Sequence, residues 1–259
     1  MPYETVLVER REAIGIVSLN RPAVLNALNR QMIRETRAAL EDLEADSDVR
    51  VVILRGEGRA FCAGDDLAED FSDIRTTADL LGIFERLQNV TRVLMRMPKP
   101  VIASMQGHAV GAGCEWSMNC DLRVAAAGTK FTFPEARWGY TVSNVGTKLL
   151  PLMIGLGRAK ELVFTTDGID AETAERWGLV NHVVPPGELD AYSMKLAARI
   201  ASNSALSLAL AKNLLNAATQ MSYEDVLQQE IRDCAIVARS PETALLVAGA
   251  RKRFRKQQA

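Results

Sequence analysis

Histidine and cysteine are scarce in this chain, two of the first and four of the second among 259 residues. Cys62, Cys114, Cys120 and Cys234 show no Cys-x-x-Cys spacing, and with only His108 and His182 they make no zinc set. No metal is expected, and the thiols are expected to be reduced and mostly buried, as in a cytoplasmic protein. Net charge is scarce too. Lys and Arg number 31 against 32 Asp and Glu, so no global field draws the chain to nucleic acid or to an anionic membrane. No uncharged run approaches the ~20 residues that span a bilayer. The opening MPYETVLVER has neither the basic nor the apolar region of a signal peptide. With 48% hydrophobic and 24% charged residues, the chain reads as globular, one large domain or two small ones.

Taken in order, 4–9 and 13–19 read as strands joined by a charged turn, and Asn20-Arg21-Pro22 stops the second. Met32, Ile33, Leu40 and Leu43 recur at helical spacing until Asp46-Ser47-Asp48 interrupts them. Val49 to Leu54 reads as a strand buried on both faces. Residues 56–67 are too glycine-rich for a regular element and form a loop, and 69–97 read as a helix ended by Pro98-Lys99-Pro100. Strands follow at 100–105, 122–126 and 130–133, which predicts a layered α/β core. From about Thr147 onward seven helical stretches follow with no strand among them, with Asp170 and Ser240 as N-caps. A boundary is placed near 190, giving a core of 1–190 and a helical region of 191–259. The second is apolar enough for its short helices to need a partner surface.

The densest chemistry lies between Gly107 and Glu135. A strand-like run passes through Gly107-His108-Ala109-Val110-Gly111-Ala112-Gly113 into an apolar helix that carries Glu115 in its first turn. Glycines allow close backbone approach. The unpaired N–H groups of a helix start suit an anion or a developing negative charge. A second strand-like run ends on Pro134-Glu135. The same pattern also serves as a plain strand-to-helix turn with a carboxylate placed favourably on the helix dipole.

Four pieces in register resemble the enoyl-CoA hydratase/isomerase (crotonase) family: Asn20-Arg21-Pro22 with Asn26-Ala27-Leu28, Phe61 to Leu67, Gly107 to Glu115 with Asp121, and Pro134-Glu135. Gly178-Leu179-Val180 fits a later signature, and the resemblance spans essentially the whole chain. It implies an α/β fold, a ββα spiral core with a helical C-terminal trimerisation region. It also implies an acyl-CoA thioester as substrate, a homo-oligomer (trimer or dimer of trimers), and no cofactor beyond the CoA of the substrate. By position, the backbone N–H groups of Asp65 and Ala112 would hold the thioester oxygen, Glu115 would deprotonate water, and Glu135 would protonate the α-carbon. Ala23, Leu25, Ala63, Asp66, Leu67, Gly111, Pro134 and Trp138 would lie along the acyl-CoA. Having both glutamates favours 2-enoyl-CoA hydration over the sibling reactions, namely isomerisation, C–C cleavage and ring-opening hydrolysis.

The chain departs from the family pattern in four places. Ala112 replaces a glycine, and Asp65 replaces an alanine, so its carboxylate is expected to point away from the thioester oxygen or be paired. Ala23 removes one lysine contact to CoA, and Trp138 to Thr147 lacks the usual Pro-Gly run beside the acyl pocket. The basic cluster Arg251-Lys252-Arg253-Phe254-Arg255-Lys256 reads as a solvated helix end or a CoA-phosphate contact. RNA binding, known for one branch of the family, lacks an aromatic platform and a net basic charge here.

Overall fold

The computed structural model describes residues 3–70 and 72–257, except the side chains of 250 and 252–257. The side chains of the basic cluster from Lys252 onward therefore lie outside the description. Two compact units emerge, Met1–Ile200 and Ala201–Ala259. The first closes ten residues later than the sequence boundary.

In the first unit β1 (Val6–Arg11) and β2 (Ile14–Leu19) form a hairpin. Then come α1 (Arg30–Ala45), β3 (Val51–Gly56), α2 (Thr77–Arg96), β4 (Val101–Met105), β5 (His108–Val110) and α3 (Ala112–Asn119). They are followed by β6 (Leu122–Ala126), β7 (Lys130–Thr132), α4 (Gly146–Ile154), α5 (Leu156–Thr165), β8 (Ile169–Asp170), α6 (Ala171–Trp177), β9 (His182–Val184) and α7 (Leu189–Ala201). One sheet has the order β1-β2-β3-β4-β6-β9 and is parallel from β2 onward. The other has the order β5-β7-β8, extended by single bridges Cys62↔Ala109 and Leu28↔Asp65. The chain therefore climbs in a spiral. Each turn lays one strand in the large sheet, turns a corner, touches the small sheet and leaves through a helix.

Burial explains the pattern. β2 and β4 are buried along their whole length, as parallel strands covered on both faces must be. α1 is amphipathic, burying Met32, Ile33, Thr36, Ala39, Leu40 and Leu43, with Asn29 capping Met32 N–H. α3 is buried on every side, with Trp116 fully enclosed.

Three expectations are corrected. The helix assigned to 69–97 begins only at Thr77, where Thr76 and Asp79 form a capping box. Before it, Asp70 accepts from Ser72 N–H in a local turn, and Glu69 and Asp73 hold Arg30. The region after 147 does contain strands. β8 and β9 are two and three residues long, too short to show a period, and exist because β7 and β6 offer them free edges. The glycine run 107–113 likewise contains β5. Asp170 and Ser240 do cap helices, through Thr173 N–H and Thr243 N–H.

The second unit consists of α8 (Ala205–Ala218), α9 (Tyr223–Ala238) and α10 (Pro241–Gln257). Ser204 and Ser222 cap α8 and α9, and Ser204 also donates to Glu242.

Candidate active site

The loop at 61–67 is laced on both edges. Ala63 N–H donates to the Leu25 carbonyl (3.0 Å), Leu28 N–H to the Gly64 carbonyl (2.8 Å) and Asp66 N–H to the Leu28 carbonyl (3.0 Å). Opposite, Cys62 N–H donates to the His108 carbonyl (2.9 Å) and Val110 N–H to the Cys62 carbonyl (3.0 Å). Backbone groups alternate in direction along an extended chain. With 64 and 66 committed to Leu28, the N–H of Asp65 turns the other way and finds no acceptor among the described residues. The N–H of Ala112, first in α3, is equally without a partner there.

Asn26 makes this arrangement possible. It is fully buried at φ +58°, and its amide donates to the carbonyls of Glu57 (2.9 Å) and Ala60 (2.8 Å) while accepting from Arg21 N–H (2.9 Å). The turn Pro22–Val24 is thereby fixed beside the 61–67 loop.

Gly111 joins α3 to Glu135. It caps α3 at φ +50°, ψ −124°, and its N–H donates to the Thr132 carbonyl at 2.9 Å. A Cβ there would stand 3.1 Å from Glu135 Oε1, so a larger residue, already strained at this positive φ, would also push that carboxylate aside by a few tenths of an ångström. Glu135 opens the short turn Glu135–Trp138, and both of its carboxylate oxygens are enclosed without a hydrogen bond of good geometry. Burial, followed by the charges of Glu115 and Asp65, pushes its pKa up to about 7, with only its own backbone N–H acting against them.

Glu115 sits in a different environment. It is 1% exposed, yet Ser143 N–H (2.7 Å) and Ser143 Oγ (2.9 Å) donate to it, as does Asn144 Nδ2 (2.7 Å). Burial raises its pKa while these donors hold it back, because they stabilise the charged form. Thr91 Oγ1 donates to Asn144 Oδ1 at 3.0 Å. Asn119 Nδ2 in turn donates to Thr91 Oγ1 (3.2 Å) and to the Asn144 carbonyl (3.0 Å). The Asn144 amide is thus oriented with its nitrogen toward Glu115. Asn144 and Val145 hold left-handed backbone at φ +47° and +62° to allow this.

Of the two arrangements expected for Asp65, pairing is not the one found. Its carboxylate is not paired among the described residues, and it stays reachable by water while protein walls it on its sides. Desolvation, then Glu115 and Glu69, raise its pKa to about 6. Asp65 and both glutamates therefore form one coupled acidic group. Among the described residues no three His, Cys, Asp or Glu groups converge as metal ligands.

The remaining candidates spread outward from this centre. Ala23 is exposed on its turn, while Leu25 and Ala63 are half-buried and hydrogen-bonded to each other. Asp66 is taken up by an ion pair with Arg21 (2.8 Å), whose guanidinium also donates to the Ala27 carbonyl (2.6 Å). Its side chain thus holds two loops together. Pro134 is half-buried beside Gly111, whereas Leu67 and Trp138 are 63% and 59% exposed. Sequence reasoning missed Ser143, Asn144, Thr91 and Asn119. The one available signal was the polar Ser143-Asn144 pair within the segment that departs from the family pattern.

A ββα spiral with a carboxylate in the first turn of a buried helix, a second against its N-cap and two free backbone N–H groups nearby defines the class. The chain belongs to the enoyl-CoA hydratase/isomerase family, whose sequence profile matches residues 9–240. It is 38% identical over 231 residues to the crotonyl-CoA hydratase of Syntrophomonas wolfei, covering 89% of this chain and 88% of that protein. With the short-chain-enoyl-CoA hydratase of Clostridium acetobutylicum it shares 37% over the same length, 89% of this chain and 88% of the other. In structure it is similar to an enoyl-CoA hydratase of Bacillus anthracis, at TM-score 0.91 and 30% identity, covering 96% of this chain and 97% of that one.

Proposed function

We propose that the chain adds water across the 2,3 double bond of a 2-enoyl-CoA thioester, giving a 3-hydroxyacyl-CoA. The observation that carries this is the contrast between two coupled glutamates, one held by three donors and one held by none. Donors favour the ionised form, so Glu115 is the base that takes a proton from water. Glu135, protonated in much of the population near neutrality, gives its proton to the α-carbon. Between these steps the thioester oxygen carries enolate charge, and the N–H groups of Asp65 and Ala112 are placed to receive it. Removing one such donor typically costs ~10²–10³ in rate. Attack by water oxygen on the β-carbon and two proton transfers complete the reaction with no net redox change, so we propose no metal or redox cofactor for it.

We place the protein in the cytoplasm as a trimer or a dimer of trimers. Three of the four thiols are buried and all four are free. Among the described residues no helix is long and apolar enough to cross a membrane. Tyr223, Leu227, Ile231, Leu245 and Leu246 leave large apolar surface open on α9 and α10, which supports association between copies. Light scattering on the purified chain distinguishes the two assemblies.

The test of the chemistry is the loss of conjugated-thioester absorbance from crotonyl-CoA. Glu115→Gln and Glu135→Gln should each slow it by ~10²–10⁴. A wild-type protein inactive on crotonyl-CoA, together with a Glu135-dependent reaction on another acyl-CoA, would assign one of the sibling reactions instead.

A further inference from the structure

Resting on the hydratase reading, we propose that Asp65 is the proton port of the site, exchanging protons between bulk water and the enclosed pair Glu115 and Glu135. Hydration breaks one O–H bond of water and the 2,3 π bond, and forms one C–O and one C–H bond. It leaves the extra proton on Glu115 and removes one from Glu135. The protein's proton count is unchanged, but its distribution is inverted and has to be reset before the next turnover.

The glutamates are poorly placed to reset through solvent directly. Glu115 is 1% exposed, and both Glu135 oxygens are closed off without a partner. Asp65 is the exposed member of the three; it feels the charge of Glu115, and its own charge acts on Glu135. The backbone brings its neighbour Gly64 alongside the turn that holds Glu135. A Cβ on Gly64 would stand 2.9 Å from the Val110 carbonyl oxygen, and one on the adjoining Gly111 would stand 3.1 Å from Glu135 Oε1. Cys62 and Cys114 also lie beside these carboxylates, but both are fully buried. Burial holds the Cys62 thiol up to about 12 and the Cys114 thiol well above its ordinary value, so neither relays a proton near neutrality. A proton leaving Glu115 thus reaches water through Asp65, and one entering for Glu135 takes the same route in reverse.

The test follows two isotopes through the same turnover. 3-Hydroxybutyryl-CoA made by the enzyme in deuterated water carries deuterium at the α-position it addresses. Returned to the enzyme in 18O-labelled light water, it is recovered and weighed by mass spectrometry for deuterium lost and 18O gained. Wild type should lose deuterium as fast as it gains 18O, because each deuteron left on Glu135 escapes before the reverse step. Asp65→Asn and Asp65→Ala should retain deuterium through several 18O exchanges, Asp65→Glu should behave as wild type, and added formate should restore washout in Asp65→Ala. The ratio is internal to each turnover, so a slower or less stable variant does not mimic the effect. Equal washout in the Asn and Ala variants, or retention already in wild type, overturns the proposal. Wild type that gains no 18O overturns the hydratase reading itself, and with it the port.

Discussion

Replacing Glu135 with Gln should let the protein gain stability relative to wild type as the pH rises through neutrality, while sharply lowering its activity. Both carboxylate oxygens are enclosed without a hydrogen-bonding partner, and burial with the nearby charges of Glu115 and Asp65 lifts the pKa from 4.5 to about 7. That displacement is equivalent to about 3 kcal/mol. The sign follows from proton binding: the folded protein holds this proton more tightly than the unfolded chain does. The stabilising contribution is therefore complete below about pH 4.5 and lost as the pH rises through about 7. Between about pH 5 and about pH 8 the wild type should lose roughly 2.5 kcal/mol that an uncharged Gln does not lose. Urea unfolding of both proteins at one fixed protein concentration measures this, since association would otherwise shift the apparent stability. Comparing the two pH values cancels the cost of burying the amide. A stability difference that changes by less than about 0.5 kcal/mol, or in the opposite sense, would refute the claim that this carboxylate is held desolvated.

Two further outcomes follow from the same geometry. Asn144→Ala removes a donor from Glu115 and unties Thr91, so the Glu115 pKa rises further and the acid limb of the kcat/KM profile for crotonyl-CoA moves to higher pH; an unmoved limb would deny Asn144 its hold on Glu115. Gly111→Ala combines positive φ with a Cβ 3.1 Å from Glu135 Oε1, so a stability loss of about 1–2 kcal/mol in urea unfolding should accompany at least a ~10-fold fall in kcat; full activity would mean that Glu135 is not confined there.

Much of the site was legible because its parts depend on local rules. Gly111, Glu115 and Glu135 sit at strand and helix ends whose signals lie within a few residues. The buried runs of β2, β3 and β4 announce a parallel sheet without reference to anything distant. The misses have the opposite character. β8 and β9 carry no period of their own and are strands only because β7 and β6 have free edges beside them. Helix α2 starts late because Arg30, some forty residues earlier, draws Glu69 and Asp73 into turns. Asn144 reads as a loop residue until Thr91 and Asn119 converge on it from other helices.

The sequence by itself determined which turn types, helix starts and buried strands could form, and so placed two acids and two backbone donors on adjoining turns of a spiral. Only the tertiary structure decided what those acids are. Their proton affinities depend on desolvation and on donors brought from up to about thirty residues away, so Glu115 receives three hydrogen bonds, Glu135 none and Asp65 a path to water. Identical carboxyl groups were thereby given unlike proton affinities by their surroundings, which no local pattern encodes.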